Sequence, residues 1–172
     1  MMLIDDGIPT KEDLAKVFPS EERLKKGAVA ILECFQEIPC NPCVNACKRG
    51  SITIPGDINH LPVLDAQICD GCGGCIPLCP GLAIFIVDIT WSEDRALVKL
   101  PFENLPVPKS GQYAAGLNRA GQEVGWFEII KVVPGGKTNL TYTITLAVPQ
   151  DLAMEVRSIR AGGYRDGDQQ GR

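Results

Sequence analysis

Eight cysteines, all between positions 34 and 79, constrain this chain more than any other feature. They fall into two runs. The stretch CDGCGGCIPLCP sets Cys69-x2-Cys72-x2-Cys75-x3-Cys79, with Pro80 directly behind. The earlier run reads Cys34-x5-Cys40-x2-Cys43-x3-Cys47, with Lys48 in place of the proline. Aligning Cys47 with Cys79 puts Ile52 against Ile84 and Ile54 against Ile86, so the apolar register matches beyond the cysteines. Each copy reads as strand, cysteine loop, short helical turn, strand. Ile54-Pro55-Gly56-Asp57 supplies the turn between the copies. Neither copy alone is large enough to bury its own apolar face, so residues 28–87 are expected to pack as one pseudo-twofold unit.

The chemistry of the thiols depends on compartment. The amino terminus, MMLIDDGIPTKED, has neither a basic segment nor an apolar one behind it, so no secretory signal is read and a cytoplasmic location is expected. Thiols in a reducing compartment bind metal more readily than they form disulfides. A structural zinc site favours two separated cysteine pairs, which two runs of four closely spaced cysteines fit poorly. The longest apolar runs, AVAIL and LAIFIV, are far too short to span a membrane. The net charge is −4, and residues 1–86 hold 11 acids against 7 bases while the remainder holds 10 of each. A nucleic-acid partner calls for the opposite, a basic stripe. No dinucleotide or P-loop glycine motif is present, and His60 is the single histidine, so no catalytic site of the chain's own is expected. Solvent exposure is the simplest expectation for His60, Lys48 and Arg49.

The flanks differ from the cysteine-bearing centre. Residues 1–27 read as a helical extension: Thr10-Lys11-Glu12-Asp13 resembles a capping box, and Ser20–Gly27 places its acids first and lysines last. No chemistry is assigned to these helices. Residues 88–160 read as a β-rich docking domain, a small barrel or sandwich. In it Tyr142, Ile144, Leu146 and Val148 share one strand face, and a hairpin turns at Asn118–Gly121. Trp91 and Trp126 are expected in strands, Asp151–Ile159 as a closing helix, and 161–172 as a disordered tail.

The second run has the spacing of bacterial ferredoxins, and residues 28–87 resemble a two-[4Fe–4S] ferredoxin with a modified first motif. The resemblance implies an α+β chain with a ferredoxin-like βαββαβ fold and one-electron transfer by both clusters. The fourth cysteine of each run then crosses to the other cluster. One set is Cys34, Cys40, Cys43 and Cys79; the other is Cys69, Cys72, Cys75 and Cys47. Gly71, Gly73 and Gly74 let the backbone wind closely around the second site, and Pro80 turns the chain out of it. More broadly, EERLKKGAVAILECFQEIPCNPC and LAVPQDLAMEVRSIR are similar to small iron–sulfur subunits of FAD-dependent dehydrogenases acting on amino acids or polyols in anaerobic bacteria. That likeness implies a hetero-oligomer with FAD on the partner subunit. The alternatives are a free-standing ferredoxin-like carrier, a single cluster with the first run degenerate, and a structural zinc-binding module.

Overall fold

The computed structural model describes residues 3–137 and 139–167. It is a strand-dominated α+β chain with a few short helices. Three helices lead in: α1 (Leu3–Asp6), α2 (Lys11–Val17) and α3 (Glu21–Leu24). The capping box at α2 forms as read, with the Thr10 hydroxyl accepting from the Asp13 amide at 3.2 Å and the Asp13 carboxylate accepting from the Thr10 amide at 3.1 Å. At α3 the Ser20 hydroxyl accepts from the Arg23 amide at 3.2 Å without a reciprocal bond, and Gly27, at φ 112°, ends that segment. Among the described residues no helix is long and apolar enough to cross a membrane.

The repeat then unfolds as β1 (Val29–Leu32), α4 (Pro42–Ala46), β2 (Ile52–Thr53), β3 (Val63–Leu64) and β4 (Ile84–Asp88). Ile52 and Ile84, matched by the cysteine alignment, are the first residues of β2 and β4. The second copy makes turns over 74–78 where the first makes α4. β1 pairs antiparallel with β4, Val29 opposite Val87 and Leu32 opposite Ile84, while β2 pairs with β3 in a separate two-stranded sheet.

Five further strands and a short closing one follow: β5 (Arg95–Phe102), β6 (Gln112–Leu117), β7 (Glu123–Val133), β8 (Tyr142–Pro149), β9 (Ser158–Ile159) and β10 (Arg165–Asp166). They do not stand apart as a barrel or sandwich. The main sheet runs β1-β4-β5-β8-β7-β6-β10, with β9 also on β6, so the boundary expected at 87/88 falls inside β4, which pairs onward with β5. The reason lies in β4, whose residues Ile84, Phe85, Ile86 and Val87 are all buried. A strand buried on both faces needs cover on both. Phe85 and Val87, with Ile31, join the core that contains Leu100, Ile129, Ile144, Leu146 and Val148. Ile84 and Ile86, with Ala30 and Leu32, join a second core that includes Cys43, Ile52, Cys75 and Ile76.

The β8 face reads as expected, with Ile144, Leu146 and Val148 in the larger core and Tyr142 packed against it. The hairpin turn at Asn118–Gly121 also forms, the Gly121 amide donating to the Asn118 carbonyl with Gly121 at φ 73°. Three expectations are corrected. The Asp151–Ile159 segment is a 3-10 turn (Gln150–Leu152) leading into β9, because the amides of Arg157 and Arg160 donate to the Leu117 and Ala115 carbonyls and hold the chain extended against β6. Within the tail, Arg165–Asp166 pairs with Tyr113 and Gln112, and the Arg165 guanidinium lies 3.5 Å from the centre of the Trp126 ring in β7. The remainder of that tail, 168–172, lies outside the described residues. Trp91 is in an exposed turn, with Arg95 5.9 Å from its ring.

A buried ion cluster ties the cysteine-bearing half to the far end of the sheet. Glu33, directly ahead of Cys34, accepts two hydrogen bonds from Arg119 at 2.7 and 2.8 Å and one from Arg157 at 2.6 Å. Burial alone pushes the Glu33 carboxyl up, but the two guanidiniums outweigh it and hold the group below its ordinary value. Two outcomes are expected. Truncating Leu100, fully buried, to alanine should cost about 2–5 kcal/mol in urea unfolding. Glu33→Gln should cost about 3–5 kcal/mol at neutral pH, because it leaves two buried cations without their anion. A depressed carboxyl stabilises the fold above the ordinary glutamate pKa and loses that contribution as pH falls through its native value. The gap between wild type and Glu33→Gln should therefore be full at pH 7 and close in acid.

Candidate metal centre

The eight cysteines gather around two cavities. Cys34, Cys40, Cys43 and Cys79 line one, walled by Leu32, Ile38, Ile84 and His60. Cys47, Cys69, Cys72 and Cys75 line the other, walled by Ala30, Ile52 and Ile86. Each set takes three cysteines from one run and one from the other. The exchange follows from local geometry: α4 and the turns at 74–78 each carry the chain from the third cysteine of a run to the fourth, and β1 and β4 lie side by side between the two loops. Among the described residues no three His, Cys, Asp or Glu side chains converge tightly enough to hold a single ion. The four thiols of each set line one cavity, and four thiolates are the donor set that a cubane takes.

The electrostatics divide the same way. Burial pushes the Cys75 thiol up to about 12, reinforced by the neighbouring thiolates of Cys69, Cys72 and Cys47. Burial also raises Cys43 and Cys34, with Cys79 the first neighbour to add to each. Such thiols ionise when a cation arrives to bind them, which is the chemistry of a thiolate metal site. Cys47 behaves differently. Burial pushes it up, but hydrogen bonds from Ser51 and from the backbone of Ser51, Ile52 and Arg49 outweigh that and lower it. Two other sulfurs accept from backbone amides, Cys69 from Ala30 and Cys79 from Ala83, both at 3.4 Å. The donor set, the apolar walls and the amides aimed at sulfur all fit an iron–sulfur cluster.

The second loop is held by contacts that its sequence does not announce. Arg23 on α3 is only 5% exposed. Its guanidinium donates to the carbonyls of Ala66 at 2.5 Å, Cys69 at 2.6 Å, and Gly27 and Ala28 at 2.9 Å each. Lys99 on β5 donates to the Gly71 carbonyl at 2.9 Å. Asn139 donates to the Pro77 carbonyl. No spacing rule finds such residues, since Arg23 lies 46 positions from Cys69 in the chain. The helical extension thus has a structural part in the site that its sequence did not reveal. Leu82, at φ 52°, turns the chain from Cys79 into β4. Arg49, expected to be solvated, is exposed yet pairs with Asp70 at 2.7 Å, joining the end of the first loop to the second. His60 is exposed as expected and its Nδ1 bonds the Pro55 carbonyl at 2.7 Å, but its ring also walls the first cavity.

Of the three loop glycines, Gly71 is the one whose lack of a side chain is demanded twice. Its φ is +65°, and a Cβ there would stand 2.4 Å from the Ala28 Cβ. Gly71→Ala should therefore destabilise the chain by about 1–3 kcal/mol from overpacking alone. Gly74→Ala, whose Cβ would find only ordinary contact at 4.0 Å, should be close to neutral in the same unfolding measurement.

No protein-family model matches the chain, and no solved structure matches it. It is similar to curated proteins named ferredoxin-type protein NapF from Escherichia coli K12 and from strains O6:H1 and O157:H7, each 33% identical over 52 residues. That match covers 29% of this chain, and the chain spans about a third, 32%, of the length of those relatives.

Proposed function

We propose that this chain is a cytoplasmic electron-transfer subunit holding two [4Fe–4S] clusters, one on Cys34, Cys40, Cys43 and Cys79 and the other on Cys69, Cys72, Cys75 and Cys47. The observation that carries the reading is the division of eight thiols into two sets of four, each with one member lent by the opposite loop. Similarity to ferredoxin-type proteins also supports it. A bound cluster supplies reversible one-electron chemistry.

The chain's own residues hold, shield and tune. The apolar walls from β1, β2 and β4 limit water at the sulfurs, and the amides of Ala30 and Ala83 offset thiolate charge. Gly71 lets the second loop close over Ala28, and Arg23 pins that loop from outside. A flavoprotein dehydrogenase is the proposed partner, carrying FAD and the substrate chemistry, with the β-rich segment 88–160 as its docking module. All eight cysteines lie outside segment 88–160, which packs against β4 and leaves its remaining surface for a fixed partner.

The test is an anaerobic pull-down of the chain from its native cells, with the eluate assayed for iron, sulfide, flavin and co-purifying chains. About eight iron and about eight sulfide per chain are expected from two cubanes, together with a flavin-bearing partner in constant proportion. A brown chain recovered alone would favour the free carrier, and zinc without sulfide would end the cluster reading. Crossed ligation has its own check by EPR. Cys47→Ser should perturb the cluster of the second loop and Cys79→Ser that of the first; the reverse pattern would sink the crossing.

A further inference from the structure

The two cavities differ in the fixed charge built around them. Beside the second, the Arg23 guanidinium is buried and is satisfied entirely by backbone carbonyls, one of them that of Cys69. The Lys99 ammonium bonds the Gly71 carbonyl, between Cys69 and Cys72. Its stem runs along the same loop, with Cδ 3.6 Å from where a Gly73 side chain would begin, and Lys99 is paired across the ladder with Ile86, a wall of that cavity. Neither cation has a carboxylate partner among the described residues. Arg49 also lines this cavity, but Asp70 balances it.

The first cavity lacks this excess. No lysine or arginine is among its described lining residues. Its loop, residues 35–46, carries a single formal charge, the exposed Glu37. The buried Arg119 and Arg157 behind Cys34 are matched by Glu33 and, 3.8 Å from Arg119, by Glu155. Hydrogen bonding to sulfur adds to the difference. Cys47, which belongs to the second set, has the Ser51 hydroxyl 3.0 Å from its sulfur, the donor once that sulfur is a thiolate.

A fixed positive charge stabilises the more negative, reduced form of a nearby redox group, and net charge and sulfur hydrogen bonds are both levers on cluster potential. We infer that Arg23 and Lys99 are the counter-charges of the second cluster and hold its reduction potential above that of the first. An electron received by the chain would then come to rest on the cluster held by Cys47, Cys69, Cys72 and Cys75. The step is a single electron passing from the first cluster, which is oxidised, to the second, which is reduced, with no proton moved. The inference rests on the two-cluster reading above.

The experiment is a dithionite titration of the anaerobically reconstituted full chain, followed by EPR, with signals assigned through Cys40→Ser for the first cluster and Cys72→Ser for the second. In wild type the higher-potential signal should be the one that Cys72→Ser removes. Lys99→Gln can still donate to the Gly71 carbonyl and should retain full iron content. It should lower the second signal alone, shifting the partition of an electron between the clusters roughly tenfold, about 59 mV for one electron. Lys99→Arg, which keeps the positive charge, should hold the second signal at its wild-type potential. The inference is overturned if Lys99→Gln moves both signals equally or neither, or if Cys40→Ser removes the higher-potential signal. A chain that takes up no iron and sulfide overturns the cluster reading itself, and with it this one.

Discussion

Strand β4 is buried on both faces, and the two faces serve different cores. Phe85 and Val87 point into the large core of the antiparallel sheet, while Ile84 and Ile86 point into the smaller core beside the cysteines. Each such side chain contributes about 1.5–3 kcal/mol when fully buried, so neither half of the molecule is free to release this strand. Cys79 lies just before β4 and Cys34 just after its neighbour β1. The strand pair thereby fixes where two cysteines of opposite runs stand within one set, and its residues Ala30 and Ile86 wall the cavity of the other.

Around that pair the chain uses buried charge rather than more apolar surface. The cluster of Glu33 with Arg119 and Arg157 spans the interval from the first cysteine loop to β9, bonding residues 124 positions apart. Buried ion pairs add little net stability over apolar packing, yet losing one partner is costly. Such a clamp holds one arrangement firmly. Arg23 acts similarly on the second loop through carbonyls alone. In both places a cation fixes a loop that has almost no regular secondary structure to hold it.

Much of the centre was legible. Cysteine spacing announces two runs with a shared apolar register, and the residues it matches, Ile52 and Ile84, stand in β2 and β4. The capping box at Thr10 and the alternation in β8 were readable because each depends on residues within a few positions of one another. Two misreadings share a cause. A continuous apolar run such as LAIFIV does not say what covers its second face, so the pairing of β4 with β5 is not visible in it. Asp151–Ile159 has the composition of a helix but gives its amides to β6, a partner some forty residues upstream, and local propensity loses to that pairing. Trp91 sits in a turn beside Ser92-Glu93-Asp94, a polar run that favours a turn over a strand.

The sequence by itself determined which atoms are available for chemistry: eight thiols in two runs, glycines where the backbone must turn tightly, and a repeat whose apolar register is shared. These are properties of spacing, and spacing survives without coordinates. Only the tertiary structure decided that one continuous sheet joins the two halves, and that Arg23 and Lys99 stand beside one cysteine set while the charges behind the other are balanced. Those outcomes depend on which distant segments share a surface. That choice is made by burial of both faces of β4 and by the pairing of buried charge, and neither is written in any local stretch of the chain.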